Sequence, residues 1–308
     1  MSPVALLLVA GIALDLLLGE TRRWHPLVGF GRLASFIERR LNRGRAPFAR
    51  GLLAWLLAVL PLTAIAALAT DLAGPWLHAL LLYFCIGLRS LRDHTMPIYA
   101  ALRDGDLGQA RLLTARIVSR DTANAQETDL AKASAESLLE NGNDAVFGTL
   151  FWFVLLGGPG AVLFRLANTL DAMWGYRSAR FNLFGRSAAR IDDGLNYLPA
   201  RLTALSYVML AGAGRARAWH CWRTQAPAWT SPNAGPVMAS GAGALGVSLG
   251  GAAVYDGETE QRPPLGAGPA ANATDILRAW QLVLRATVLW VAVLCTAALL
   301  VAIGVPHA

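Results

Sequence analysis

The residues best suited to chemistry lie between Ser119 and Phe147, in the stretch SRDTANAQETDLAKASAESLLENGNDAVF. This is the longest mostly polar run between two strongly apolar regions. On a helix, Glu136, Glu140 and Asn143 share one face, because they are spaced i, i+4 and i+7. Carboxylates four residues apart repel each other, so either a divalent cation or an arginine should offset them.

Three further groups of polar residues lie outside that face. Ser119 or Asp121 before a helix is typical of an N-cap, but capping does not explain Arg120. A lone histidine near an apolar segment, such as His25, is typical of an interfacial residue. Polar side chains along one face of a membrane-depth helix indicate a protein interior or a wet cavity. One apolar helix carries such a row at i, i+3 and i+6: Arg165, Asn168 and Asp171.

Together these groups offer carboxylates, side-chain amides and arginines. Hard oxygen ligands suit Mg²⁺, and guanidinium groups suit phosphate oxygens. A zinc site is not indicated, because the five histidines do not cluster. The sequence has no GxxxxGK[ST] motif, so it has no P-loop. The residues alone therefore predict a site for an anionic substrate on the cytoplasmic face of a polytopic membrane protein.

The composition indicates an integral membrane protein. The chain has 308 residues, of which 55% are hydrophobic and 15% charged, whereas soluble domains carry roughly 25% charged residues. The net charge of +7 is typical of positive cytoplasmic loops, and no basic stretch is interleaved with aromatics as an RNA-binding sheet would need. Three isolated cysteines make neither a disulfide framework nor a zinc site. Lys132 is the only lysine, against 26 arginines.

The hydropathy pattern predicts an all-α fold, a single integral-membrane domain over 1–308 with cytoplasmic helical segments between its apolar stretches. A crossing needs about 20 residues. Asp93 to Glu140 is typical of short soluble helices, with a break at Asp104–Asp106 and an end at Asn141–Asn143. The predicted apolar segments are 3–18, 51–70, 75–88, 145–170, 197–213 and 282–304.

Two stretches leave alternatives open. Gly157 to Gly160 interrupts segment 145–170, which predicts either one broken span or a re-entrant helical pair; the arginines that follow favour the pair. Segment 197–213 either spans or lies half-buried. The arginine-rich region 19–50 is expected in the cytoplasm, on the same side as the Ser119 region.

Beyond these patterns, the sequence resembles the CobD/CbiB family of cobalamin biosynthesis, the membrane-bound adenosylcobinamide-phosphate synthases. The resemblance runs nearly end to end. Thr21 stands where the family usually has proline, and Pro236 directly follows Gly235 where a bulky residue is expected. Six motifs carry it: DLLLGETRRWHPLVGFGRL (Asp15–Leu33), SRDTAN (Ser119–Asn124), ESLLENGNDAVF (Glu136–Phe147), RLANTLDAMWGYR (Arg165–Arg177), FGRSAARIDDGLNYLPARLTA (Phe184–Ala204) and SPNAG (Ser231–Gly235).

The resemblance implies an amide-forming ligase in the bacterial inner membrane, with its active face in the cytoplasm. Such an enzyme joins adenosylcobyric acid to an aminopropanol, free or as its O-phosphate, with ATP and Mg²⁺. The corrinoid is a substrate. Other late cobalamin-pathway enzymes and a second copy of the chain are expected partners, and nucleic acid is not.

The matched motifs imply roles for individual residues. Mg²⁺ on ATP would be held by Glu136, Glu140, Asn143 and Asp144. The proton acceptor would be Asp121, Asp171 or His25. Substrate and phosphate groups would be bound by Arg120, Asn124, Arg165, Asn168, Arg177, Asp192, Asn196, Ser231 and Asn233.

Two functions from other classes remain as alternatives. A transporter or channel would fit a broken helix and intramembrane polar residues, but it does not need the SRDT motif or the acidic face. The second alternative is a membrane sensor similar to the AmpE-type signalling proteins. Which amino alcohol the enzyme uses is left open.

Overall fold

The structure, a computed structural model, describes residues 3–21, 25–176 and 178–304, with the backbone alone for 301–304. The described elements are α1 (Pro3–Leu18), α2 (Pro26–Leu41), α3 (Pro47–Ala73), α4 (Trp76–Cys85), α5 (Leu88–Arg103), α6 (Leu107–Thr114), α7 (Glu127–Gly142), α8 (Gly148–Trp174), α9 (Arg186–Leu210), α10 (Arg215–Gln225), α11 (Ala234–Leu245), β1 (Ser248–Tyr255), β2 (Glu258–Gly266) and α12 (Ala273–Gly304).

The predicted all-α class is confirmed, with one two-stranded antiparallel sheet added. Within the described residues, three helical stretches are long and apolar enough to cross a membrane: Pro47–Ala73, Glu127–Trp174 and Ala273–Leu300. Segments 3–18 and 51–70 correspond to α1 and α3, and the break at Asp104–Asp106 is confirmed, because the Asp106 side chain caps α6.

Two apolar segments differ from their predicted extents. The helix expected over 75–88 is α4, whose 10 residues end at Cys85, so α4 alone is too short for a crossing. Most of segment 197–213 lies in the second half of α9, which begins at Arg186 and ends at Leu210. The polar residues before Tyr197 continue the same helix, so a hydropathy boundary was mistaken for a helix boundary.

The interruption at Gly157 folds α8 back on itself. Gly157 has φ 67° and ψ −154°, outside the helical region. Residues sixteen apart in a straight helix are separated by about 24 Å, yet a Cβ on Gly148 would overlap the ring of Phe164. The N–H of Gly158 at the start of the second half donates to Nδ1 of His78, at 2.9 Å. This is the geometry of the predicted helical pair rather than of one straight crossing.

The predicted helix end at Asn141–Asn143 is confirmed for α7, which ends at Gly142, but the chain does not turn away there. The chain continues from α7 through a π-helical segment, Asn143–Phe147, into α8. Asn143 keeps right-handed angles, with φ −67° and ψ −52°. The Asn141 amide donates to the carbonyl oxygen of Ser137, and the Oδ1 of Asn143 accepts from Thr203. Both amides therefore find partners without leaving the helix.

The chain forms two compact units, each assembled from separate stretches. The first contains 1–88, 144–196 and 291–308, and the second contains 89–143 and 197–290. The expectation of a single domain stays a prediction. In the first unit, small residues of α3 such as Ala54 and Ala58 are fully buried with Trp55, Leu170 and Trp174, and small side chains allow helices to approach closely.

The second unit is built around α11 and the β1–β2 hairpin. Every residue of α11 except Ala244 is buried, and a Cβ on Gly241 would overlap the Leu139 side chain of α7. The strands are joined by Asp256 and Gly257, both with positive φ, which is the two-residue turn that matches strand twist. The strand register shifts between Gly250 and Gly251, opposite Pro263.

The contact between Gly148 and Phe164 gives a test of the folded-back α8. We expect Gly148→Ala to lower the free energy of unfolding by about 1–3 kcal/mol, because its methyl group overlaps a fully buried ring. The matched control is Gly29→Ala in α2, whose Cβ would meet nothing within 4 Å. Thermal unfolding in detergent measures both, and an unchanged midpoint for Gly148→Ala would contradict the folded-back geometry.

Candidate functional site

The second unit contains a buried ion cluster of three residues, Arg120, Glu136 and Arg262, called here the Glu136 cluster. The side chain of Glu136 is 2% exposed, that of Arg262 8% and that of Arg120 13%. The Oε2 of Glu136 accepts from Arg120 Nη2 and, at 2.9 Å, from Arg262 Nη1. Two guanidinium groups therefore face one carboxylate, which leaves the cluster with a net charge of +1.

Three elements hold this cluster together. Glu136 lies in the third turn of α7, Arg120 in the loop before it, and Arg262 on β2. Gly250 lies at the strand irregularity and donates its N–H to Glu136 Oε1, at 2.7 Å, instead of to the ladder. Arg120 Nε also donates to the Tyr255 hydroxyl at 3.2 Å. The hairpin thus delivers a guanidinium and a backbone donor to the carboxylate.

Electrostatics favour the charged form of Arg120. Burial alone would lower the pKa of its guanidinium, but the adjacent Glu136 carboxylate raises that pKa above its usual value. The sequence predicted that a cation or an arginine would offset the acidic face, and arginine does so at Glu136. Arg262 was missed, because the stretch that carries it was not recognised as a hairpin.

A cavity of about 720 Å³ opens beside the cluster, and we call it the SRDT cavity. Its walls come from the loop 120–125, from α7 and from the hairpin. Arg120, Asp121 and Asn124 line it, as three of the residues predicted to act on substrate. The loop is fixed to the hairpin by two bonds: Asp121 N–H donates to the Val254 carbonyl, and Asp121 Oδ2 accepts from Gly257 N–H.

The SPNAG residues lie elsewhere in the second unit. The Oγ of Ser231 accepts from the N–H groups of Asn233 and Ala234, at the start of α11. The Oδ1 of Asn233 accepts from Arg201 at 2.7 Å. Arg201 also lines a second cavity of about 730 Å³ with Trp229. The contacts of Ser231 and Asn233 fix this turn, and their predicted substrate role stays a prediction.

In the first unit, Asp192 forms the centre of a polar group. Asp192 is 7% exposed. Its carboxylate accepts hydrogen bonds from Asn196 Nδ2 at 3.1 Å and from Asn168 Nδ2 at 3.4 Å. Burial raises the pKa of Asp192 well above its usual value, and the charges of Asp144 and Asp171 raise it further. The structure therefore brings five predicted residues together within this unit, and their charge is predominantly negative.

Arg165 and His25 belong to the first unit as well. The guanidinium of Arg165 interacts electrostatically with Glu20 and Asp144, and its buried Nε has no hydrogen-bond partner among the described residues. His25 is the N-cap of α2, because its Nδ1 accepts from the Leu27 N–H at 3.2 Å. Burial lowers the pKa of His25, which favours the neutral imidazole that a cap requires.

The predicted binding of Mg²⁺ by Glu136, Glu140, Asn143 and Asp144 stays a prediction. Glu136, Glu140 and Asn143 belong to the second unit and Asp144 to the first. Over the described ranges, no three His, Cys, Asp or Glu side chains lie close enough to hold a metal ion by themselves. Glu136 is buried with three partners, Arg120, Arg262 and the Gly250 N–H. Arg177, predicted to bind phosphate, lies outside the described residues.

Comparisons with known proteins point to one family. The family model described as CobD/Cbib protein matches residues 8–283. A "Cobalamin biosynthesis protein CobD" from Stutzerimonas stutzeri is 56% identical, over 94% of this chain and 97% of that protein. Proteins of the same name from Chromobacterium violaceum and Geobacter metallireducens are 54% and 37% identical, covering 99% and 86% of this chain and 99% and 87% of their own lengths. No solved structure matches.

The Glu136 cluster makes a prediction about stability. Glu136→Gln keeps the shape of the side chain but leaves two buried guanidinium groups without a carboxylate. We expect the free energy of unfolding to fall by about 3–5 kcal/mol, the usual cost of removing one partner from a buried ion pair. Thermal unfolding of the purified protein measures this.

Asp104→Asn is the matched control, because it removes an ion pair whose two side chains are both 59% exposed. Exposed pairs contribute little, so the control should unfold with the wild-type midpoint. If Glu136→Gln also unfolded at the wild-type midpoint, the Glu136 cluster would not stabilise the folded protein.

Proposed function

Because the chain belongs to the CobD/Cbib family, we propose that it acts in cobalamin biosynthesis as an amide-forming ligase of the cell membrane. Its substrates are adenosylcobyric acid and (R)-1-aminopropan-2-ol or the O-phosphate of that amino alcohol. Its product is adenosylcobinamide or adenosylcobinamide phosphate. The observation that carries the proposal is the SRDT cavity, where a guanidinium with a buried ion partner and an accessible carboxylate lie on the walls of one space.

The reaction needs an activated carboxyl group, because a carboxylate and an amine do not condense appreciably in water. The propionate oxygen attacks the γ-phosphorus of ATP and ADP leaves, which gives an acyl phosphate. The amine nitrogen then attacks the carbonyl carbon, and inorganic phosphate leaves with the bridging oxygen. The nitrogen loses protons as the amide forms, so the site must supply a proton acceptor and stabilise phosphate charge.

In the second unit, Asp121 is our candidate for the proton acceptor. Its Oδ2 accepts from Gly257 N–H at 2.7 Å, which fixes the carboxylate at the cavity wall while the residue stays exposed. Arg120 would bind a phosphate group of the amino alcohol substrate, because the buried Glu136 holds its guanidinium in place. Asn124 lines the same cavity and would donate to a phosphate oxygen.

In the first unit, the carboxylates around Asp192 fit the Mg²⁺ that accompanies ATP. They are hard oxygen donors, and burial, together with the charges of Asp144 and Asp171, raises the pKa of Asp192, so a cation would favour its charged form. Mg²⁺ on a nucleotide commonly uses one or two carboxylates and keeps several waters, so a complete protein cage is not needed. Bound there, Mg²⁺ would neutralise charge on the phosphates of ATP.

Other residues of the first unit would orient the substrates. Asn168 and Asn196 hold the carboxylate of Asp192 by donating to separate oxygens. Arg165 would bind an anionic group, because its buried Nε lacks a partner among the described residues. Asp171 and His25 remain alternative proton acceptors, although the cap at Leu27 already occupies Nδ1 of His25.

The reaction itself can be tested with Asp121→Asn. Purified protein in detergent receives ATP, Mg²⁺, adenosylcobyric acid and aminopropanol phosphate, and mass spectrometry follows amide and ADP. Asparagine keeps an acceptor for the Gly257 N–H but cannot take a proton at neutral pH. We expect turnover to fall by roughly 10²–10⁴-fold, the usual contribution of a general base. Asp104→Asn is the control, and full turnover by Asp121→Asn would exclude Asp121 as the base.

Complementation separates the ligase from a transporter or a sensor. A corrinoid auxotroph that lacks this step should grow on cobyric acid when the chain is expressed, because the chain would convert cobyric acid to the amide. The same strain without the chain should grow on cobinamide only. If expression of the chain never restored growth on cobyric acid, although the protein accumulated in the membrane, the ligase proposal would fail.

A further inference from the structure

The only lysine of the chain lies on the wall of the SRDT cavity, and none of the roles above uses it. Lys132 is on α7, one turn before Glu136, so the two side chains share a helix face. Its Nζ donates to the Ala252 carbonyl of β1 at 3.3 Å. An ammonium group has three donors, and Nζ makes this one bond to the part of the chain that the structure describes. Two donors are therefore available to a ligand.

The cavity contains charges of both signs. Arg120 and Lys132 contribute positive charge, and the charge of Glu136 behind Arg120 is balanced by Arg262. Asp121 and Asp129 also line the cavity, and each uses one carboxylate oxygen to accept a backbone N–H, from Gly257 and Gln126 respectively. A polyphosphate would meet two carboxylates there, at an electrostatic cost. A small zwitterion with a phosphate at one end and an ammonium at the other would meet complementary groups.

We propose that Lys132 is a further substrate-binding residue, whose ammonium binds the phosphate group of the amino alcohol phosphate in the SRDT cavity. The inference rests on the proposed function for the identity of that substrate. Lys132 and Arg120 take the phosphate oxygens, while the ammonium of the substrate faces Asp121. The nitrogen that must lose protons is thereby placed beside the proposed base.

The chemistry of lysine suits this position. The ammonium is a compact charge on a flexible four-carbon stem, and it can pivot between the Ala252 carbonyl and a phosphate oxygen. Arg120 cannot move in this way, because its Nε is bonded to Tyr255 and one Nη to Glu136. One fixed and one mobile cation could therefore close on a phosphate that enters the cavity. A purely structural role would need only the bond to Ala252.

The single lysine permits a direct test by chemical labelling. Purified protein is treated with an amine-acetylating reagent, and peptide mass spectrometry quantifies acetyl-Lys132, with the amino terminus of the chain as internal reference. The probes are 1-aminopropan-2-ol O-phosphate, the free amino alcohol, inorganic phosphate and MgATP. We expect the amino alcohol phosphate to slow labelling of Lys132 at least several-fold, and the free amino alcohol at the same concentration to leave it unchanged. Absence of protection by the phosphorylated compound, or equal protection by MgATP alone, would overturn the proposal.

Kinetics supply a second measurement. Lys132→Gln should raise KM for the amino alcohol phosphate about 10- to 100-fold, the contribution of one charge-assisted hydrogen bond, with a much smaller change in kcat. Lys132→Arg should recover most of the affinity, because it restores the positive charge. Arg103→Gln, a surface cation outside the cavity, is the control and should keep the wild-type KM. A wild-type KM in Lys132→Gln would contradict the assignment.

The two proposals can fail separately. If no amide formed with any amino alcohol, the ligase proposal would fail, while labelling would still decide whether Lys132 meets a phosphate monoester. If amide formed normally but Lys132 were neither protected nor needed for a low KM, the ligase would stand and the role of Lys132 would be refuted.

Discussion

The second unit depends on a carboxylate that is almost completely removed from water. Burying a charge costs several kcal/mol unless partners replace its hydration. Glu136 obtains that replacement from two guanidinium groups and a backbone N–H. These partners come from the loop before α7 and from both strands of the hairpin. Because one side chain needs all three, it fixes their relative positions, and the SRDT cavity is the space that those same three elements enclose.

The Gly250 irregularity illustrates how local backbone geometry serves this carboxylate. In a regular ladder the Gly250 N–H would pair across the hairpin. The register shift opposite Pro263 releases it, and the positive φ of 71° at Gly250 is readily available to glycine. A proline cannot donate to a ladder, so the Pro263–Pro264 pair marks where pairing is interrupted. A bulge next to a functional cavity is a recurring way to redirect a backbone donor.

Much of the fold could be predicted from the sequence. Long apolar runs indicate helices that are shielded from water, and the positions of α1, α3 and the last span follow from such runs. The break at Gly157 was evident because consecutive glycines with a proline interrupt a helix. The hairpin was missed although Asp256-Gly257, a strong turn signal, separates its strands. Its glycines, alanines and prolines lack the usual strand composition, since packing against α11 and the bonds to Glu136 stabilise it instead.

The candidate site was predictable in its residue types and less so in its pairings. A repulsive acidic face requires a counter-charge, and the sequence could not decide between a cation and an arginine. Arg120 was identified as unexplained by capping, and the structure supplies its partner. Arg262 lies 126 residues after Glu136, and no local spacing rule connects residues so distant. Pairings of this kind follow from topology, which hydropathy alone does not determine.

That separation also affects how the protein is made. The ribosome adds about 5–20 residues per second, so Glu136 is synthesised roughly 6–25 s before the arginine that completes its environment. Each unit also needs stretches that are synthesised later: the first unit continues from residue 144 and the second from residue 197. Neither can acquire its native core until most of the chain has been translated. During that interval Glu136 lacks Arg262 and the Gly250 N–H, so a defect in the hairpin would first affect the protein during its biogenesis.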